Sequence, residues 1–273
     1  MSRVKLKKCL TVFILAVITL ISFFPFYMML IMGTYKTENL ADAISMLPGN
    51  YLLENLSKII SGGFLKYYGN SLYITVVGTA LCVFVSALTG YGLAKFKFKL
   101  NRFLSVFIVL CMMIPCQLGI IGYVIEMRFI GLANTREAVI LMNVANCFGA
   151  FWMTQFIKGG VHDEVLESAR IDGCSELGIF FKIVVPYIKP GLATLVILQF
   201  MWNWNSYLLP LVVLSDPDLY TITLGIASLG NRYSSDFAAQ ICALSLGTIP
   251  LIIIFIIGSK YFIKGLTAGS VKE

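Results

Sequence analysis

The chain has 273 residues, 58% of them apolar and only 13% charged, with a formal net charge of +7. Ordinary globular domains are about 45–50% apolar and about 25% charged, so a soluble enzyme, a secreted globule and a disordered chain are all excluded. A mean hydropathy of +0.85 agrees. The basic residues recur in short clusters between long apolar runs, a pattern that writes membrane topology and predicts no nucleic-acid partner. Seven cysteines (Cys9, Cys82, Cys111, Cys116, Cys147, Cys174, Cys242) stand singly, without a C-x-x-C pair. They read as small hydrophobes, with no disulfide framework and no metal site expected. The single histidine, His162, excludes any mechanism that needs two.

A helix crosses the hydrocarbon core with about 20 mostly apolar residues. Uncharged runs of that order cover residues 10–33, 67–94, 103–125, 138–157, 190–215 and 237–259, which predicts an all-α membrane protein with six transmembrane helices. The first run follows Arg3, Lys5, Lys7 and Lys8. It exceeds the 7–15-residue core of a signal peptide and precedes no small-residue cleavage site, so it reads as a retained helix, with Pro25 the place for a bend. Gly90 and Gly92 in the second run read as close-packing positions, and Pro115 with Gln117 marks a kink in the third. A seventh uncharged run, 219–231, is too short to span and contains Gly225, Gly230 and Asn231; it reads as a loop or partial re-entry. The methionines are filler in the apolar spans. Fifteen of the 21 Lys and Arg residues fall on the side of the N-terminus, which predicts cytoplasmic N- and C-termini. Segment 34–66 then lies outside and segment 158–189 inside.

The inner segment carries the strongest local signal. From His162 it reads HDEVLESARIDGCSELGIFFKIVVP. Asp163 is the expected N-cap, with Glu164 and Glu167 favouring the positive end of the helix dipole. Val165, Leu166, Ala169 and Ile171 form a rough apolar side. Gly173 stands where a C′ glycine ends a helix, and Ser175 can cap a second helix running toward Pro186. The spans place no Asp, Glu, Lys or Arg at mid-depth, whereas proton- and voltage-driven machines use such groups. An engine outside the membrane needs a mechanical grip, and a helix–glycine–helix knob provides one.

Glu167-Ser168-Ala169, three residues, Gly173, nine residues, then Ile183-x-Val185-Pro186 resembles the EAA loop of binding-protein-dependent ABC importer permeases. Every spacing of that family's E-A-A-x3-G-x9-I-x-L-P is kept, with Ser168 for the second Ala and Val185 for Leu. The resemblance extends over residues 67–273 and is to the sugar-importer branch, in particular its maltose-type second permease subunit. Its further residues are Asn70-Ser71-Leu72, Phe180–Lys182, Lys189-Pro190, Trp202-Asn203-Trp204-Asn205, Pro210-Leu211, Tyr220-Thr221 and the tail from Lys264 to Lys272. It implies a type I ABC importer permease fold, divided into residues 1–66, a permease core over 67–262 with the coupling loop 158–189, and a cytoplasmic tail over 263–273. It further implies a second permease subunit of a different chain, two ATPase subunits, an extracytoplasmic sugar-binding protein and a prokaryotic cytoplasmic membrane. Glu167, Ser168, Ala169, Asp172, Gly173 and Pro186 fall in the ATPase-coupling motif. With no G-x-x-x-x-G-K-[ST] loop in the chain, no cofactor is expected here, and ATP belongs to the partner subunits.

In the fifth run Gln199, Asn203 and Ser206 fall at helical spacing on one face, with Trp202 and Asn205 beside it. These polar residues, and Asn143 with Asn146 in the fourth run, either line a solute pathway or hydrogen-bond neighbouring helices; both readings stay open. Trp202 and Trp204 suit either sugar stacking or packing. Glu167 and Asp172 lack a nucleophile or metal ligand nearby in sequence, and no catalytic role is expected of them. A secondary transporter or facilitator is the alternative, and it predicts internal repeats, broken-helix pairs or intramembrane ionisable groups; the sequence offers none of these clearly. An intramembrane protease would need His within a span or an H-E-x-x-H motif, and the chain has neither.

Overall fold

The structure is a computed structural model, and it describes residues 3–232 and 236–268, among which every regular element is helical. The C-terminal end of the tail resemblance, from Gly269 onward, lies outside the described residues. Helix α1 (Arg3–Met32) leads through a 3-10 segment (Thr37–Ser45) to α2 (Leu52–Ser61) and α3 (Phe64–Lys95). Next come α4 (Asn101–Met112), α5 (Ile120–Phe129), α6 (Arg136–Val144), α7 (Cys147–Gly160) and α8 (Asp163–Ile171). Helix α9 (Glu176–Tyr187) contains a π-turn over Phe180–Val184. It is followed by α10 (Lys189–Trp204), α11 (Leu208–Val213), α12 (Ile222–Arg232), α13 (Phe237–Gly247) and α14 (Ile249–Ala268).

Four stretches are long and apolar enough to cross a membrane unaided: Lys7–Met32, Phe64–Lys95, Arg136–Gly160 and Phe237–Lys260. Two more do so only as bent pairs: Asn101–Met112 with Cys116–Phe129 turns by 93°, and Glu176–Tyr187 with Lys189–Trp204 by 80°. Several expectations change accordingly. Helix α1 continues unbroken past Pro25. The third apolar run is broken outright at Pro115, which opens a 3-10 turn over Cys116–Gly119. The 190–215 run stops as a helix at Trp204 and resumes at Leu208. Residues 219–231 form chiefly α12 rather than a loop; its 11 residues reach about 16 Å, half the thickness of a bilayer core.

The chain divides into two compact units, Met1–Leu65 with Leu224–Ile249, and Lys66–Thr223 with Pro250–Glu273. In the first, buried Asn55 donates to the carbonyls of Gly33 (2.9 Å) and Tyr35 (2.8 Å), groups left open where α1 ends. Asp236 caps α13 through the Ala239 N–H and also accepts from the Thr37 hydroxyl and the Lys58 ammonium. The amphipathic α2 and the 3-10 segment are thereby held to α13, so segment 34–66 is built structure.

In the second unit, the spine is the close approach of α3 and α7. A Cβ on Gly90 would fall 2.7 Å from the Met153 Cβ and 2.8 Å from its backbone, whereas Gly92 faces open space. Of these two glycines, Gly90 alone is a close-packing position. At the far end of α3, Asn70 donates to the carbonyls of Asp218 and Tyr220, and the Ser71 hydroxyl accepts from the Ile222 N–H. Gly90→Val is expected to destabilise the detergent-solubilised chain by about 1–3 kcal/mol in thermal unfolding, and Gly92→Val by no more than about 0.5 kcal/mol.

Candidate functional site

Three interruptions of the second unit converge on one cavity of about 690 Å³. They are the α4–α5 break at Pro115, the α6–α7 break at Ala145–Asn146, and the α10–α11 break at Asn205–Tyr207. Peptide groups freed at such breaks are tolerated at membrane depth only where they are buried in protein or face a polar cavity. The walls include Gln117, Asn143, Asn146, Trp202, Ser206 and Tyr207, and no Asp, Glu, Lys or Arg. Broken helices, which the sequence did not display, are thus present, without the ionisable groups that ion-coupled transport uses.

Behind this cavity runs a ladder of amides. Asn146 caps α7 through the Gly149 N–H (2.7 Å) and donates to Gln199 (3.3 Å). Gln199 donates to Asn203 (3.1 Å), and Asn203 to the Thr79 hydroxyl (3.3 Å). Gln199 and Asn203 are buried, at 1% and 6% exposure, and join α3, α7 and α10. They therefore sit in the packing layer, while Trp202, at 46% exposure, and Ser206 face the cavity. Ser206 does not share a helical face with Gln199 and Asn203, because α10 ends before it; its carbonyl accepts from the Thr223 hydroxyl. Asn143 and Asn205 turn their amides back on the carbonyls four residues earlier, Val139 and Met201. Trp202 meets Phe148 edge to face at 5.3 Å, which fixes the ring on the wall.

The second feature is the knob, α8 and α9. His162, with extended backbone, is the N-cap position, so Asp163 is the first helical residue; its carboxylate instead pairs with Lys95 of α3 at 2.6 Å. The Lys95 ammonium also reaches the Val161 carbonyl. Gly173 has φ +80°, and the amides of Gly173 and Cys174 bond to the carbonyls of Arg170 and Ala169. This is a Schellman turn, in which a left-handed residue closes the last carbonyls. A Cβ on Gly173 would meet nothing, so the turn requires glycine for its backbone alone. Ser175 caps α9 through the Gly178 N–H.

Leu166 and Ala169 are buried in one cluster with Tyr91, Ile157, Ile179, Phe180, Val184 and Ile188. The knob therefore rests on the core of α3, α7 and α10. The expected apolar side of α8 divides: Leu166 and Ala169 point in, while Ile171 is 86% exposed and stands with exposed Leu177 beside the glycine turn. Glu167, Ser168, Asp172 and Pro186 are exposed as well. The Ser168 hydroxyl bonds back to the Glu164 carbonyl, so serine fits the alanine position without disturbing packing. Pro186 follows a π-turn in which the Val185 N–H reaches Phe180; proline cannot donate to the carbonyl four residues before it, and a widened turn absorbs the misfit.

Sequence reasoning missed the residues that lock this knob. The Arg170 guanidinium donates to Glu176 at 2.7 Å, and the Tyr91 hydroxyl donates to the other carboxylate oxygen at 2.9 Å. The Tyr91 ring packs on Phe96 and Phe180. Arginine and glutamate six residues apart across a glycine turn were the available signal. The Lys95 ammonium holds the Asp163 carboxyl below the ordinary aspartate value of 3.8. For Glu176, the Arg170 guanidinium and then the Tyr91 hydroxyl outweigh burial and hold it below 4.5.

A bent-helix permease fold with a docked knob is what these features define, and comparison with known proteins agrees. The chain belongs to the family described as the binding-protein-dependent transport system inner membrane component, whose model matches residues 83–267. It is accordingly a membrane-embedded, multi-pass protein. It is 35% identical over 263 residues to the arabinooligosaccharides transport system permease protein AraQ of Halalkalibacterium halodurans, covering 94% of each chain. It is 34% identical to the lactose transport system permease protein LacG of Rhizobium radiobacter, covering 95% of this chain and 94% of that one. A bacterial ABC transporter involved in import of the acidic polysaccharide alginate has a chain of the same fold, with TM-score 0.80 and 21% identity over 96% of this chain and 99% of that one.

Two outcomes follow from the geometry. Gln199→Leu strands the amides of Asn146 and Asn203, and thermal unfolding should report a loss of about 1–3 kcal/mol. Because Asp163 and Glu176 titrate below their ordinary values, their stabilisation of the knob is complete above those values and lost as pH falls through the folded ones. A spin label on Cys174, in a chain whose other cysteines are serine, should keep constant mobility from pH 7 to about 5 and loosen below about 4.

Proposed function

We propose that this chain is the transmembrane permease subunit of an ATP-driven carbohydrate importer in a prokaryotic cytoplasmic membrane. The observation that carries the reading is the knob: a glycine turn with exposed Ile171, Leu177, Glu167 and Asp172, locked from behind to α3 and continuous with the core. A charged rim around exposed apolar side chains is a docking face for another protein, and in this family's arrangement the partner is an ATPase. The carbohydrate assignment rests on the named relatives, whose solutes are arabinooligosaccharides and lactose. It also suits a cavity whose otherwise largely apolar wall carries three side-chain amides, the Ser206 and Tyr207 hydroxyls and the open ring of Trp202.

In this reading the chain crosses the membrane six times, the third crossing broken at Pro115 and the fifth beginning with α10, with both termini and the knob, α9 included, in the cytoplasm. Glu167, Ser168, Ala169, Asp172, Gly173 and Pro186 form the coupling element. Trp202, Ser206, Asn143 and Asn146 line the pathway; Gln199 and Asn203 brace it, and Asn205 ends the helix beside it. A different permease chain completes the conduit, two ATPase subunits bind the ATP, and an extracytoplasmic binding protein delivers sugar. Closure of the ATPase pair draws the knobs together and turns the pathway outward, the sugar enters, and hydrolysis resets the pair. This subunit is a conduit and catalyses nothing.

Glu167→Lys and Gly173→Pro should each cut ATP-dependent sugar uptake into vesicles at least tenfold while the chain still inserts in the membrane. Uptake at the unaltered rate would refute the role of the knob. Mild-detergent purification of the tagged chain should recover an ATPase and a second permease; a chain that purifies alone from sugar-induced cells would favour a facilitator.

A further inference from the structure

A second cavity, of about 280 Å³, lies between α4 and α7, away from the pathway. Its lining is mainly apolar, with Leu93, Val106, Val109 and Phe151 among its members, and Ser105, Thr154, Gln155 and Lys158 are its polar residues. Val106, Val109 and Leu110 are 41–55% exposed, so the cavity is a groove open along the side of the helices. Two features mark it off from an ordinary lipid-facing surface. The Ser105 hydroxyl lines it, buried and without a hydrogen-bond partner among the described residues. A serine in an apolar helix normally returns its proton to a carbonyl one turn back; this one is left for something else. The basic groups at the groove's mouth are also unopposed. Lys158, which lines the groove, and exposed Arg102, outside the lining but one turn before Ser105 on α4, have no carboxylate in ion-pairing distance among the described residues, whereas nearby Lys95 is paired with Asp163.

We propose that this groove is a binding site for an anionic glycerophospholipid. The chemistry matches in depth order. Arg102 and Lys158, at the helix ends where the chain leaves the apolar layer, meet the phosphate and its acidic head group. Ser105, three residues or about 4.5 Å further along α4, lies at the depth of the glycerol-ester groups. Val106, Val109 and Phe151 receive the start of one acyl chain. Basic pockets between helices at a cytoplasmic surface hold such head groups, and the lipid would brace α4 against α7 beside the start of the knob. The inference rests on the membrane-permease reading only in needing a bilayer; the transported solute and the coupling role of the knob do not enter it.

The test is native mass spectrometry of the full chain from mixed micelles holding equal amounts of phosphatidylglycerol and phosphatidylcholine. Retention of phosphatidylglycerol in preference to phosphatidylcholine is expected. Arg102→Gln and Lys158→Gln should each lower that preference about fivefold, and Ser105→Phe, which fills the groove, should remove the retained lipid. Equal retention of the two lipids by the unaltered chain, which needs no variant to fold, overturns the proposal. So does an unchanged preference in the Arg102→Gln, Lys158→Gln double variant with native helical circular dichroism; the groove would then be covered by ordinary bilayer lipid or by another subunit. Neither result depends on sugar uptake, so failure here is separate from failure of the transport reading.

Discussion

A peptide group set free in hydrocarbon has no water to turn to, and this one constraint organises the second unit. Each place where a helix stops at membrane depth must bring its own partners or open onto a shared polar space. Here the breaks at Pro115, Asn146 and Asn205 open onto one cavity. Asn146 shows how one side chain serves both needs, closing the start of α7 with its oxygen and reaching Gln199 with its nitrogen. The amide ladder then holds the broken ends in register while leaving the cavity uncharged. A space with neutral polar groups and no acidic or basic lining residue suits the neutral polyhydroxylated solute of the proposed reading.

The knob obeys a second economy. Its inner side belongs to the hydrophobic core, since Leu166, Ala169 and Phe180 share a cluster with α3 and α7. Its outer side is exposed, with Ile171 and Leu177 uncovered, and in the proposed reading a partner covers it. Tyr91 and Lys95, one turn apart on α3, hold the two halves of the knob separately, the first through Glu176 and the second through Asp163. A displacement of the knob therefore loads α3 directly, and α3 is the helix whose Thr79 ends the amide ladder. In the proposed reading, grip and pathway share one rod.

What the sequence disclosed follows from the range of the forces involved. Uncharged runs reveal the apolar layer because lipid and protein core alike exclude charge, and Gly173 and Ser175 announce their turn because capping is a matter of a few neighbouring residues. The family spacing placed the knob. Pro115 announced one break as a kink, but those at Asn146 and Asn205 were hidden, because Asn205-Ser206 interrupts a helix without interrupting an apolar run. The partnership of Tyr91 with Glu176 joins residues 85 positions apart, which no local pattern reports. The exposure of Ile171 was concealed for a related reason: periodicity identifies a face but not which neighbour, core or partner, will cover it. Of the polar residues in the fifth run, sequence supplied the membership, and only packing sorted Gln199 and Asn203 from Trp202.

The 80° corner between α9 and α10 turns on Ile188, a fully buried residue. The arms on either side, 12 and 16 residues long, measure about 18 and 24 Å. Such a corner is a bell crank. In the proposed reading a push along the membrane normal at the tip of α9, with both arms turned about the pivot as one body, becomes a sideways sweep of the far end of α10, enlarged by about one third. The far end of α10 is where Trp202 stands, so an ångström of travel at the handle arrives as somewhat more than an ångström at the wall of the cavity.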